Sequence, residues 1–199
     1  MFRYYSRHKF CSLWLIREII FIMNMLSHTR IGIISDTHGY LDPRIAEVIE
    51  GCDLGIHAGD IMGHHILKQM QPRSGDVIAV RGNNDNESVW SPEEHAALKP
   101  LDHVASIKLQ GGTLVVIHGH LHGGNHPKHS IMRHQFPDAR AIVYGHTHVM
   151  TCDKESMPWV INPGASGQVR THGGPSCLIL EVSNDDWKIE SIRFEDDAA

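Results

Sequence analysis

Ile31-Gly32-Ile33-Ile34-Ser35-Asp36-Thr37-His38-Gly39 is the stretch on which the reading of this chain turns. Ile31, Ile33 and Ile34 form a β-branched apolar run, which predicts a buried strand. The run closes on a carboxylate, Asp36, with an imidazole, His38, two residues later. A strand ending in Asp-x-His delivers one oxygen and one nitrogen donor to the mouth of a sheet. Those donors suit a divalent ion such as Mn, Fe, Ni or Zn. Taken alone, Asp36-Thr37-His38-Gly39 is equally a turn after a strand. An apolar strand followed by a metal-ligand residue recurs four more times downstream, and the recurrence favours ligands.

Upstream, residues 1–27 read as an N-terminal extension and 28–199 as a single domain. Met1–Lys9 is basic, and Phe10–Met23 is apolar but interrupted by Arg17 and Glu18, too short and broken to span a bilayer. No uninterrupted apolar stretch with a small-residue cleavage site marks a signal peptide. An amphipathic anchor or targeting peptide is one reading. The favoured one is a false start, with translation beginning at Met23 or Met25, or a dispensable extension carrying no chemistry.

Downstream, Pro43–Glu50 predicts a helix with Asp42 as N-cap, Pro43 at its first position and Gly51 past its end. Asp53–Asp60 predicts a second strand ending in an acid, Gly63–Met70 a helix, and Asp76–Arg81 a third strand closed by Gly82-Asn83-Asn84-Asp85. This strand–helix alternation is the pattern of a parallel α/β sheet, with ligands leaving the carboxyl ends of strands. Ser91-Pro92-Glu93-Glu94 predicts a capping box. Val104–Leu109 and Thr113–Ile117, around Gly111-Gly112, predict a hairpin ending at His118. A helix over His129–Phe136 follows, then a strand over Ala141–Tyr144 ending in Gly145-His146-Thr147-His148. Pro158–Ile161, Pro175–Val182 and Trp187–Phe194 complete the strands.

Composition bounds the class. Hydrophobic content of 41% and charged content of 21% are those of an ordinary globular protein. A net charge of −5 argues against a general nucleic-acid or acidic-membrane binder. The 17 histidines nearly match the 18 lysines and arginines together, a surplus that only spacing can interpret. Cysteines 11, 52, 152 and 177 form no close pair, which points to a reduced, cytoplasmic setting.

Collected, the strand-end residues are Asp36, His38, Asp60, Asn83, His118, His146 and His148. Seven donors suit two ions sharing one carboxylate better than a single zinc site, which takes about three or four. Singly, each is more readily a turn acid or a packed histidine; together at strand ends, that reading fails.

Ser35-Asp36-Thr37-His38-Gly39, His57-Ala58-Gly59-Asp60, Arg81-Gly82-Asn83-Asn84-Asp85, Val115-Val116-Ile117-His118-Gly119-His120 and Gly145-His146-Thr147-His148 resemble the ordered motif set of the calcineurin-like metallophosphoesterases. The chain is most similar to the small single-domain phosphodiesterases called YfcE-like, over residues 30 to 165, including the trailing Asn162-Pro163-Gly164. The resemblance implies an α/β fold: a four-layer αββα sandwich of two mixed β-sheets flanked by helices. It implies Asp36, His38 and His148 on one metal, Asn83, His118 and His146 on the other, and Asp60 bridging. It implies a metal-dependent phosphodiesterase, with manganese leading and Fe, Ni or Zn open, in which a metal-bridging hydroxide attacks a small phosphodiester or nucleotide. Asp60, Asn83, His118 and His120 are the expected catalytic residues.

Other positions carry plainer readings. His57 reads as packing or support for the ligands, and His120 either contacts phosphate or follows Gly119 into solvent. His122, His126, His129 and His134 read as a solvated loop and helix face. Arg81 either orients the Asn83 loop or touches phosphate. One departure from the superfamily stands out. Asn84 occupies the place where many members carry a histidine, the proton donor to the leaving group, although YfcE-like members commonly lack it too. Esters with basic leaving groups are therefore expected to be poor substrates. A phosphomonoesterase or nucleotidase, and a non-catalytic scaffold resembling the retromer subunit of this superfamily, are the alternatives. The expected partner is a small phosphoester; no stable nucleic-acid partner or membrane span is expected, and homo-oligomerisation is left open.

Overall fold

The computed structural model describes residues 19–22, 28–183 and 186–195. Two mixed sheets stack face to face. In one, β2 (His28–Ile34), β3 (Leu54–His57) and β4 (Val77–Ala79) run parallel, and β10 (Ser176–Ser183) and β11 (Asp186–Arg193) add antiparallel strands, giving the order β11-β10-β2-β3-β4. The other contains β1 (Ile19–Ile22), β5 (Val104–Leu109), β6 (Gly112–Ile117), β7 (Ala141–Val143), β8 (Thr151–Asp153) and β9 (Trp159–Asn162), in the order β1-β5-β6-β7-β9-β8.

The layering follows from the two-residue period of strands. On β2, Ile31 and Ile33 join a core shared with Leu54, Ile56, Leu114, Val116, Ala141 and Val143, residues drawn from both sheets. The intervening positions face outward. Ile34 packs with Ile45, Ile49 and Ile66 of α1 (Pro43–Glu50) and α2 (His64–Gln69), and with Leu98 of α3 (His95–Leu98). On the far side, Val115, Ile117 and Ile142 pack with Met132 of α4 (His129–Gln135). The central strands are thus buried on both faces, which is why they read as near-continuous apolar runs. The result is the αββα sandwich. Ile31, Ile56 and Leu114 are fully buried, and truncating any one to Ala removes ~2–5 kcal/mol.

Local expectations meet mixed outcomes. Helix α1 is capped as its sequence predicts: the Asp42 side chain accepts from the Arg44 N–H at 2.9 Å, with Pro43 at the start. The capping box at Ser91 does not form. The Ser91 hydroxyl donates to the Glu94 carboxylate at 3.0 Å rather than capping a backbone N–H, and the same carboxylate accepts from the His64 N–H at 2.8 Å, tying the first turn of α2 to the neighbouring 3-10 turn Pro92–Glu94. The hairpin pairs Leu109 with Gly112, so its turn is Gln110-Gly111, one residue earlier than expected. Most of the 1–27 segment lies outside the described residues, but its Ile19–Ile22 forms β1, parallel to β5 at the edge of the six-stranded sheet. Among the described residues no helix is long and apolar enough to cross a membrane.

Candidate metal centre

The carboxyl ends of β2, β3, β4, β6 and β7 meet at one rim of the sandwich. Beyond the strands, the loops stay paired: the Asp36 N–H donates to Gly59 O at 3.0 Å and the His38 N–H to Asp60 O at 3.0 Å. The two sheets are joined there as well, because His118 Nδ1 donates to Ala58 O at 2.8 Å and the His146 N–H donates to Asp36 Oδ2 at 2.9 Å. Asp36 and Asp60 are both buried and both straddle the centre. Asp60 Oδ1 lies 3.4 Å from His118 Nε2, while its Oδ2 lies 3.8 Å from His38 Nε2. Asp36 Oδ1 lies 3.4 Å from His148 Nε2 and 3.9 Å from His118 Nε2.

Backbone conformation marks the same positions. Asp36, His38, Asp60, His146 and His148 all have positive φ, between 48° and 69°. For residues with a Cβ this region costs ~1–3 kcal/mol each and persists only where the surroundings impose it. Close approach is part of that surrounding. A Cβ on Gly82 would run into Asp60, and one on Gly145 would lie 2.8 Å from Asp36 Oδ2, so glycine lets the Asn83 and His146 loops touch the carboxylates.

The imidazoles are held in one tautomer, as inferred from their bonds. His148 Nδ1 donates to Val169 O at 2.7 Å, His118 Nδ1 to Ala58 O, and His38 Nδ1 lies 3.1 Å from the Met62 sulfur. Each ring therefore turns its Nε2 inward. The Nε2 atoms of His38 and His148 face each other at 3.1 Å, two lone pairs that a cation between them would satisfy. Protonation behaviour agrees. Burial, reinforced by the charge of Asp60, pushes Asp36 up to about 7. His118, despite its burial, is raised to about 9 by Asp60 and Asp36. Protons there stand in for positive charge that a metal would supply.

Among the described residues, two groups of donors have ligand atoms within 4.8 Å of one another: Asp36, His38 and His148, and Asp36, Asp60 and His118. Oxygen and imidazole donors of this kind fit divalent transition ions. Asn83 Oδ1 lies 3.2 Å from His118 Nε2, and the His146 ring lies 5.2 Å from that of His118, so both border the second group.

Residues 29–185 match the calcineurin-like phosphoesterase superfamily domain. The chain belongs to that superfamily. Phosphodiesterase MJ0936 of Methanocaldococcus jannaschii is 28% identical over 167 residues, 80% of this chain and 96% of that protein. The probable metallophosphoesterase YsnB of Bacillus subtilis is 30% identical over 172 residues, covering 83% and 90%. A Vps29 from Entamoeba histolytica superposes with a TM-score of 0.64 at 17% identity, over 83% of this chain and 99% of that one, which shows the shared fold. Membership implies divalent metal ions, and the two donor groups are where this phosphoesterase fold would hold them.

Several residues around the site were not legible as such. Asp85, almost wholly buried, accepts from the N–H groups of Met62 at 2.9 Å, Ile61 at 3.0 Å and Gly82 at 2.8 Å, and from the Trp90 indole at 3.0 Å. It thereby locks the Asp60 loop to the Asn83 loop. Its only signal was its place two residues after Asn83. Asn162, noted only as a trailing residue, donates to Gly145 O at 2.8 Å and Thr147 Oγ1 at 3.1 Å, bracing the His146–His148 turn. His57 supports the site: its Nε2 donates to Thr37 Oγ1 at 3.0 Å, and burial pulls it down to about 4, so it is neutral. Arg81 donates to Leu98 O at 2.8 Å. His122 is buried against Phe136 rather than solvated, and His129 bonds Asp153 at 2.6 Å and Tyr144 at 3.1 Å. His120 is half-buried, its ring 5.4 Å from that of His118 and its buried Nδ1 without a partner.

Proposed function

We propose that this chain is a binuclear, metal-dependent phosphodiesterase that hydrolyses a small phosphodiester or nucleotide. Asp36, His38 and His148 would hold one ion, Asn83, His118 and His146 the other, and Asp60 both. The observation that carries this reading is the pair of straddling carboxylates: Asp60 turns one oxygen toward His118 and the other toward His38, and a single oxygen of Asp36 faces both His118 and His148. When bound, two divalent ions would supply Lewis acidity toward phosphoryl oxygens and acidify a water for in-line displacement.

The chain's own residues do the rest. Two carboxylates do not neutralise two divalent ions, so the site attracts an anion although the protein carries a net charge of −5. Asn83 contributes a neutral oxygen, which preserves that positive balance. Burial, with the neighbouring charge of His118, lowers His120 to about 4, so at neutral pH it is an uncharged donor suited to a phosphoryl oxygen rather than a proton-donating imidazolium. Asn84 cannot protonate a leaving group, which favours diesters whose leaving oxygen departs readily. Manganese, a cytoplasmic setting and no nucleic-acid partner complete the reading.

The test is a matrix of metals against substrates on metal-stripped protein: bis- and mono-nitrophenyl phosphates and cyclic nucleotides, with Mn, Fe, Ni and Zn. Diester turnover restored by metal supports the proposal. Turnover confined to monoesters, or none with any metal, overturns it.

A further inference from the structure

Arg170 lies outside every motif in the sequence, yet one of its terminal nitrogens stands 3.0 Å from His148 Nε2. His148 Nδ1 already donates to Val169 O, so the guanidinium donates to the Nε2 lone pair. That lone pair is the one an ion held by Asp36, His38 and His148 would need. Arginine has donors only and stays charged, so it cannot follow the nitrogen onto a metal. Once Nε2 is taken, the guanidinium faces a cationic centre, and only an anion between them relieves the repulsion.

The loop is built to keep it there. Arg170 has φ of 51°, a costly conformation for a residue with a Cβ. Val169 O is held by His148 on one side, and on the other Arg193 donates to His172 O at 2.6 Å and Thr171 O at 3.3 Å. Ser166, at the start of the loop, donates its N–H to Ser35 O at 2.9 Å, next to Asp36. Arg170 itself is exposed, so its side chain can swing without disturbing a core. Its charge reaches beyond one contact: after burial, it is among the causes that lower the proton affinity of His38, His146 and His148.

We propose that Arg170 is a phosphate-binding residue, donating to His148 Nε2 in the metal-free protein and to a non-bridging phosphoryl oxygen once that nitrogen is occupied. The inference rests on the phosphoesterase reading above. It makes Arg170 an ion-gated anion clamp, unavailable until metal is in place. Planar guanidinium donors match phosphate oxygens, whereas lysine offers a single point charge.

The experiment uses inorganic phosphate as the probe, titrated calorimetrically into wild type, Arg170→Ala and Arg170→Lys, each with and without Mn, alongside Mn affinity by chelator competition. A charge-assisted bond of this kind is worth roughly 10–100-fold in affinity. Arg170→Ala should weaken phosphate binding to the Mn-loaded protein by about that factor, while Mn binds as tightly as in wild type or tighter. Arg170→Lys should recover part of the loss. Phosphate affinity within twofold of wild type in Mn-loaded Arg170→Ala would overturn the proposal. Weaker Mn binding in that variant would overturn it too, by showing that Arg170 only braces His148. Absence of Mn-dependent phosphate binding in wild type would remove the phosphoesterase reading and the inference with it. Its retention in wild type with no change in either variant removes the inference alone.

Discussion

Asn84 grips both oxygens of Asp60: its backbone N–H donates to Oδ1 at 2.8 Å and its side-chain amide to Oδ2 at 2.7 Å. The residue standing in place of a histidine proton donor is thus occupied with orienting a carboxylate. Together with His118, these donors hold Asp60 below the usual carboxylate range despite its burial. Supporting contacts of this kind are typically worth ~10–100-fold in metal affinity.

Asn84→Ala is therefore expected to weaken Mn binding by about 10–100-fold, read by chelator competition. Because no acid sits at this position, wild-type kcat should fall steeply as leaving-group pKa rises. Asn84→His, loaded with metal, should flatten that dependence by up to ~10²-fold for alkyl esters. A shallow slope in wild type, steepened by His120→Ala, would instead make His120 the acid.

Asp60→Ala should lose both ions, because one oxygen of Asp60 faces His38 and the other faces His118. Elemental analysis after gel filtration reads the outcome. Retention of wild-type metal content would show that Asp36, the carboxylate common to both donor groups, suffices.

Asp85→Ala leaves four donors without their acceptor, three of them buried, on Ile61, Gly82 and Trp90, and one half-buried, on Met62. Unpaired buried donors cost ~1–3 kcal/mol each before relaxation, so a loss of ~3–5 kcal/mol is expected in urea unfolding of the metal-free protein. Metal affinity should fall as well, since Asp60 and Asn83 lose their common anchor. A change below ~1 kcal/mol would refute the anchoring role.

Removing residues 1–24 deletes β1, which pairs with β5 at a sheet edge; β5 runs into the Gln110-Gly111 turn and not directly into a ligand loop. The truncated protein should keep its kcat and metal content. Its Tm should fall by about 2–4 °C for each kcal/mol of lost pairing, measured by calorimetry. Loss of turnover with metals intact would tie the segment to the site.

Thiol chemistry should separate the cysteines by burial. Burial pushes Cys177 up to about 12 and raises Cys52 as well, whereas Cys152 is exposed. At pH 8, peptide mapping after brief alkylation should find Cys152 modified and Cys52 and Cys177 intact until denaturant is added. Early labelling of Cys177 would mean that the outer face of β10 opens far below global unfolding.

The layers and the strand-end donors were legible because both are local. Ile31, Ile33 and Ile34 alternate with a two-residue period, Asp36 and His38 follow them directly, and the same grammar repeats at Asp60, Asn83, His118 and His146. Helix α1 carries its own cap in Asp42 and Pro43. What tertiary structure alone decided is which polar group meets which. Asp85 reaches Ile61 across 24 residues, and Arg170 reaches His148 across 22. Arg81, adjacent to the Gly82-Asn83 motif, turns instead to Leu98. Glu94 accepts from the Ser91 hydroxyl and from the distant His64 N–H in place of the Ser91 N–H, and His122, in a run that reads as solvated, is buried. Hydrophobic burial is proportional to area and indifferent to partner, so a one-dimensional pattern suffices to place it. Hydrogen bonds and ion contacts depend on distance and angle, and those exist only once the two sheets have brought distant loops to one rim.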